Sequence, residues 1–199
     1  MATLPDDLQR ILNDLDVNLQ RAEAVAQGLD DEQLNWRPAP ASWSIGQCLD
    51  HLNVANRTYL APMRETIETA RQQGRSRRGP IRQGFVERWF TESLEPPPRF
   101  RMPAPRKIVP STVRLGKDEV LAEFRRLQGE AVALLRDASG LDLGVRFPNP
   151  FIPLLAFTVG TGFLVITSHE RRHLWQAEQV RSNPAFPGTR GGNPGTRAS

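Results

Sequence analysis

This chain of 199 residues contains one cysteine, three histidines and no long uninterrupted apolar run. Because Cys48 is alone, an intrachain disulfide is excluded. The longest apolar stretch, around residues 151–166, is broken by Pro153 and by several Gly and Thr residues, so no membrane span is expected. The first residues lack the basic start and the apolar stretch of a secretory signal. These shortages predict a cytoplasmic protein without a membrane partner.

Positive charge is concentrated in one part of the chain. Residues 75–107 contain nine basic and three acidic residues, a net of +6 in a chain whose total is +4. Clustered arginines can bind phosphates, and a few aromatic residues in this segment could stack on bases. No recognition-helix pattern accompanies them, so nucleic acid is not the expected partner. A solvated loop, or a lid over a functional site, explains the segment better.

Apolar residues recur at three- and four-residue steps in four segments, which predicts four amphipathic helices. The second helix begins after a capping box formed by Ser44 and Gln47, and Pro62 is expected to kink it or make it restart. The predicted helices span residues 6–29, 45–73 and 117–137, and the fourth runs from a start between 155 and 162 to about 181. Residues 30–41 and 141–153 are expected to be loops.

The connection between the second and third helices covers residues 75–116 and is rich in Arg and Pro, with little periodicity. A connection of this length lets two consecutive helices run parallel, because the chain can travel the length of the bundle between them. The sequence therefore predicts an all-α fold, a four-helix bundle with a long crossover connection between helices 2 and 3. The domain is expected to cover residues 1–182, and residues 183–199 are expected to form a flexible tail.

Two of the three histidines lie one helical turn apart on the fourth predicted helix. Side chains at i and i+4, such as His169 and His173, have β-carbons about 6 Å apart, so both rings can reach one ion. His51, near the start of the second helix, is the remaining imidazole, and all three fall on inward-facing stripes. A divalent metal site with open coordination positions is predicted. Spacing alone leaves open the alternative of core histidines without a metal.

Three stretches of the chain carry a resemblance to a known family. They are Trp36-Arg37-Pro38, residues 42–47 leading to Asp50-His51-Leu52, and residues 169–177. In this order they resemble the DinB-like (YfiT-like) superfamily of metalloenzymes. The resemblance covers the chain apart from the basic connection and the tail. It implies a four-helix bundle and a divalent metal, most often zinc or nickel, held by His51, His169 and His173.

The resemblance also implies a class of reaction. Characterised members of the superfamily include S-transferases that use low-molecular-weight thiols and a thiol-dependent isomerase. The expected function is therefore metal-dependent S-transfer or isomerisation of a small electrophilic substrate, with a low-molecular-weight thiol as cosubstrate. The alternatives are a non-catalytic metal-binding or stress-response protein, and a hydrolase in which the metal activates water. Exposed apolar stripes on a bundle would also allow a homodimer.

Further candidates adjoin the predicted ligands. Cys48 lies one turn before His51 and could be a fourth ligand or a reactive thiol, although a lone cysteine is more commonly a buried core residue. Asp50 and Glu170 could orient a ligand or move protons. Since neighbours on a helix point about 100° apart, each carboxylate is expected to bind a different partner instead.

Aromatic and basic side chains near the site have two interpretations each. Trp36, Trp43 and Trp175 could line a pocket, or they could pack loops onto the bundle. Arg171 and Arg172 could attract an anionic substrate, or they could be solvated.

Overall fold

The computed structural model describes residues 4–97, 114–152 and 154–188. It is mainly helical, with one short antiparallel hairpin in which Phe147 pairs with Phe157. The helices are α1 Asp6–Ala26, α2 Asp31–Asn35, α3 Ile45–Gln72, α4 Phe85–Leu94, α5 Lys117–Asp137 and α6 Val159–Arg181, and the strands are β1 Arg146–Pro148 and β2 Ala156–Thr158.

The start of α3 is fixed by the predicted capping box. The Gln47 backbone N–H donates to Ser44 Oγ at 3.1 Å, and the Ser44 N–H donates to Gln47 Oε1 at 3.1 Å. Pro62 lies inside α3, which continues to Gln72 as one helix, so it does not make the helix restart; the kink that the sequence also predicts at Pro62 stays a prediction. Leu60 and Met63 on either side of the proline are both buried, and their packing keeps the helix continuous despite the lost hydrogen bond.

Polar contacts show that α3 and α5 are parallel, because the residue numbers of the contacting pairs increase together along both helices. The pairs are Asn53 with Val120, Arg57 with Glu123, Arg64 with Glu130, and Arg71 with Asp137. Helices α1 and α6 are parallel by the same criterion: Asp14 contacts Arg171 and Arg21 contacts Glu178. Helices α3 and α6 are antiparallel, because His51 contacts His173 whereas Met63 lies beside Gly162. The long helices therefore run up, down, down and up, which confirms the predicted four-helix bundle with a crossover between its second and third helices.

The crossover is more ordered than its composition predicts. Residues 85–94 form α4, which packs along α6 and was expected to be part of an irregular connection. Glu87 is buried and accepts a hydrogen bond from the Thr158 N–H at 3.1 Å, while Phe90 contacts Phe157 with ring centroids 5.2 Å apart. Two of the three buried α4 residues, Glu87 and Thr91, are not apolar, whereas Phe85, Val86 and Trp89 of the same helix are exposed. Residues 98–113 of the connection lie outside the described residues.

Two other short elements occupy predicted loops. Helix α2 has five residues and a capping box between Asp30 and Gln33. The hairpin β1–β2 has three residues in each strand. Elements this short contain too few residues to display a period. In the predicted tail, Phe186 contacts Trp36 with centroids 5.4 Å apart, and residues 189–199 lie outside the described part of the chain.

Buried apolar side chains form two clusters along the bundle. One includes Phe147, Phe157 and Phe163 and lies at the hairpin end. The other includes Leu52 and Leu174 and lies at the end that carries the histidines. Burial of each large apolar side chain contributes roughly 1.5–3 kcal/mol. None of the described helices is long and apolar enough to cross a membrane.

A glycine in α6 allows the crossover to pack closely. A Cβ added at Gly160 would lie 2.8 Å from two carbons of Ile81, so we expect Gly160→Ala to lower the free energy of unfolding by about 1–3 kcal/mol. Gly129 on α5 is exposed with open space around it, and Gly129→Ala is expected to raise the free energy by about 0.5–1 kcal/mol. Urea unfolding of both variants measures the difference. Equal effects of the two substitutions would contradict this packing.

Candidate metal centre

The three histidines converge between α3 and α6. His51 lies in the second turn of α3, and His169 and His173 lie on successive turns of α6. One ring nitrogen of each histidine lies within 4.8 Å of the corresponding nitrogens of the other two. The antiparallel packing of α3 against α6 thus brings together residues that are 118 positions apart in the chain.

The spacing of the nitrogens suits a shared cation. His51 Nε2 lies 3.1 Å from His169 Nε2. Two imidazole nitrogens bound to one tetrahedral ion at about 2.0–2.1 Å are about 3.3 Å apart. Two facing lone pairs at such a distance repel unless a proton or a cation lies between them. The donor set of the site therefore fits a divalent metal, and among the described residues no carboxylate or thiol joins the group.

Burial favours the neutral form of these rings. His51 and His173 are buried, and His169 is half-buried. Burial, followed by the neighbouring imidazoles, lowers the pKa of His169 well below its ordinary value. Burial and His51 do the same for the pKa of His173. Because a metal binds the neutral imidazole, His169 and His173 are in their ligating form at neutral pH.

Two neighbours hold the His173 ring. The Nδ1 atom of His173 lies 3.0 Å from Gln176 Oε1, and since an amide oxygen only accepts, Nδ1 carries the proton and Nε2 carries the lone pair. Trp43 stacks on His173 with centroids 5.4 Å apart and also contacts His51 at 4.8 Å. Sequence reasoning did not identify Gln176 as a functional residue, although its position three residues after a histidine on one helix indicates such a bond.

The remaining sequence candidates lie apart from the cluster. Cys48 is fully buried in the apolar core, and burial raises the pKa of its thiol, so it is not a reactive thiol. Asp50 is half-buried, and its carboxylate is not among the groups that meet at the histidines. Glu170 is fully buried and is bonded to Asn18 and Asn56.

The two arginines after Glu170 connect α6 to α4. Arg171 pairs with Glu95 at 2.9 Å and with Asp14 at 3.1 Å, and Arg172 donates to the Ser93 carbonyl at 3.1 Å. The interpretation of these arginines as solvated charges is therefore wrong. Of the tryptophans, Trp43 lies against the histidines, whereas Trp36 packs on Phe186.

Comparisons with known proteins agree with this fold. The family model of the DinB superfamily matches residues 14–177. The uncharacterized protein YuaE of Bacillus subtilis (strain 168) is 26% identical over 155 residues, which cover 78% of this chain and 87% of that protein. The solved structure of YfiT from Bacillus subtilis has a TM-score of 0.58 and 13% identity, covering 90% of this chain and 89% of that one. YfiT is described as a probable metal-dependent hydrolase with an unusual four-helix bundle topology. At this identity the likeness shows the fold alone.

Proposed function

Because the chain belongs to the DinB superfamily, we propose that it is a divalent-metal-dependent enzyme that acts on a small electrophilic substrate. The observation that carries the proposal is the convergence of His51, His169 and His173 within 4.8 Å. Three imidazoles suit zinc or nickel, and they leave coordination positions for further ligands. A catalytic site keeps such positions, whereas a structural zinc site is closed by four protein ligands.

The ion, when bound, would supply a Lewis acid and lower the pKa of a coordinated water or thiol. Gln176 holds the His173 ring in the tautomer that presents Nε2. Trp43 covers one side of the His51 and His173 rings and keeps water from that side. His169 is the most exposed of the three, so a substrate would approach from its side.

The finer proposal concerns the nucleophile. We propose a low-molecular-weight thiol, as the resemblance to thiol-dependent transferases and isomerases implies. The sulfur would form a bond to an electrophilic carbon of the substrate while the bond from that carbon to its leaving group breaks. The leaving group would keep the electron pair of that bond, and the thiol proton would pass to solvent. The protein's own thiol does not serve, because Cys48 is buried and the pKa of its thiol is raised. The thiol would therefore enter as a cosubstrate.

Hydrolysis is the second candidate, and one finding favours it. YfiT, whose fold this chain shares, is described as a probable metal-dependent hydrolase. Water would then take the place of the thiol, and the site residues would keep the same roles.

The test compares the two nucleophiles in one assay. Protein loaded with zinc or nickel is incubated with a panel of electrophiles and activated esters, with and without low-molecular-weight thiols. We expect thiol consumption with formation of the thioether at least about 100-fold faster than with the protein treated with chelator, in line with the contribution of acid–base and metal catalysis. Product formation without thiol would establish the hydrolase. No metal-dependent turnover of either kind, by protein that binds metal, would contradict an enzymatic function.

A further inference from the structure

A single buried carboxylate joins all four long helices of the bundle. Glu170 on α6 is fully buried and accepts hydrogen bonds from Asn18 on α1 at 2.9 Å and from Asn56 on α3 at 2.7 Å. Gln128 on α5 donates to the same oxygen as Asn56. Asn18 also donates to the Thr167 carbonyl at 3.1 Å. Each of the other three long helices thus contributes one amide side chain to Glu170.

The amides are arranged around the carboxylate rather than around one another. The oxygens of Asn18 and Gln128 are buried and have no hydrogen-bond partner among the described residues. A buried polar atom without a partner is unfavourable, and Asn53 Oδ1, whose amide donates to the Val120 carbonyl, also has no partner among the described residues. In each case the unpartnered oxygen accompanies an N–H group that donates to a buried acceptor. Asn18 and Gln128 keep their N–H groups on Glu170 because a buried carboxylate without donors is more unfavourable still.

The Glu170 contact lies close to the histidines on both helices. Glu170 follows His169 directly, and Asn56 lies five residues after His51 on α3. The bond between Glu170 and Asn56 therefore joins the same two helices that the histidine cluster bridges. Apolar ridges and grooves allow several registers of two helices, whereas a short hydrogen bond between two particular side chains allows one.

We propose that Glu170 and Asn56 are positioning residues that fix the register of α6 against α3 so that His169 and His173 reach His51. The inference rests on the proposed metal-dependent function, because its consequence is a preorganised set of ligands. A slide of α6 by one turn, about 5.4 Å, would exceed the present separation of the three nitrogens. The amides of Asn18 and Gln128 hold the carboxylate from the other side.

Asn53 provides a matched control for this proposal. It is also a buried asparagine of α3, three residues before Asn56, and its N–H donates to the Val120 carbonyl of α5 at 2.9 Å rather than to Glu170. Its removal should cost stability of the same order as removal of Asn56, because each substitution removes one hydrogen bond to a buried acceptor. Of these two asparagines, only Asn56 donates its hydrogen bond to a residue of α6.

The experiment measures zinc affinity by competition with a chromophoric chelator and records the visible spectrum of the cobalt-substituted protein. Asn56→Ala is expected to weaken zinc binding at least about tenfold, as changes around metal ligands commonly do, and to shift the cobalt bands. Asn53→Ala should leave the zinc affinity within about twofold of the wild type and the cobalt bands unshifted. It should lower the melting temperature by about as much as Asn56→Ala does. Glu170→Gln, which retains one acceptor oxygen, is expected to weaken zinc binding less than Asn56→Ala and provides the test if Asn56→Ala does not fold.

The outcomes separate this proposal from the proposed function. If Asn56→Ala and Glu170→Gln bind zinc with wild-type affinity and an unchanged cobalt spectrum, the positioning role is wrong and the metal site stands. If Asn53→Ala weakens zinc binding as much as Asn56→Ala, the effect is general destabilisation, and the positioning role is again wrong. A wild-type protein that binds no zinc or cobalt would overturn both proposals.

Discussion

Replacing His173 with alanine is expected to reduce the bound divalent metal of the purified protein from about one equivalent to nearly none. The variant loses one of three converging imidazoles, so only two would remain to hold the ion. Since changes to residues outside the ligand set already cost about 10–100-fold in affinity, loss of a ligand should cost more than about 100-fold. His51→Ala should behave in the same way, although it removes a ligand from the other helix. Elemental analysis of protein purified without added metal gives the stoichiometry.

Cys48→Ala is the control for this result. Cys48 lies one turn before His51 on the same helix, but its thiol is buried in the apolar core and does not join the histidine cluster. We expect the substitution to keep the metal content of the wild type. Metal retained by both histidine variants would refute the three-histidine site, and metal lost with Cys48→Ala would show that the thiol is a ligand.

The second large effect expected is a dependence of stability on pH. The pKa values of His169 and His173 are lowered in the folded protein, whereas in the unfolded chain they return to about 6.5. Below pH 6.5 the unfolded chain therefore binds protons that the folded protein does not. The contribution of these two histidines to the free energy of unfolding of the metal-free protein is therefore fully present above this pH. It is lost as the pH falls. Between pH 7.5 and 5.5 the two histidines together should lower the free energy of unfolding by about 3 kcal/mol.

Glu170 acts in the opposite direction and must be separated from the histidines. Burial raises the pKa of its carboxyl to about 7, against the lowering effect of its amide donors, so its contribution to stability is present at low pH and lost as the pH rises through 7. The measurement therefore compares wild type with the double variant His169→Asn and His173→Asn by urea unfolding in chelator at both pH values. Because both proteins contain Glu170, its contribution to the free energy of unfolding cancels in the difference between them. If the free energy of unfolding of the wild type minus that of the double variant stays constant or grows on acidification, the result would contradict the lowered histidine pKa values.

Much of the bundle follows from local signals in the sequence. The capping box of Ser44 and Gln47 places the start of α3 correctly, and the apolar period of residues 117–137 gives the bounds of α5. The spacing of His169 and His173 on one helix indicates that the rings lie close together, and the inward stripe of the second predicted helix places His51 toward them. These features depend on residues within two or three turns of one another, which a single sequence displays.

The features that sequence reasoning missed depend on contacts between distant segments. Helix α4 repeats apolar residues at helical spacing within ten residues, but Phe85, Val86 and Trp89 are exposed, whereas Glu87 is buried and bonded to the Thr158 N–H. The composition of the surrounding Arg- and Pro-rich segment therefore hides a helix whose packing depends on a distant backbone group. The partners of Glu170 are 42 to 152 positions away along the chain, and nothing near Glu170 identifies them. Trp43 is one of three tryptophans that the sequence offers as residues that could line a pocket, and the structure shows that it lies against His51 and His173.

The crossover divides the three histidines between two halves of the polypeptide. A fragment ending after α3 would contain His51 alone, and a fragment beginning at α5 would contain His169 and His173, so neither half could complete the site. Complementation between two such fragments would create the metal site anew, and metal uptake would report the reunion of the split chain. At the proposed site one ion would bind histidines of both fragments and so stabilise their association.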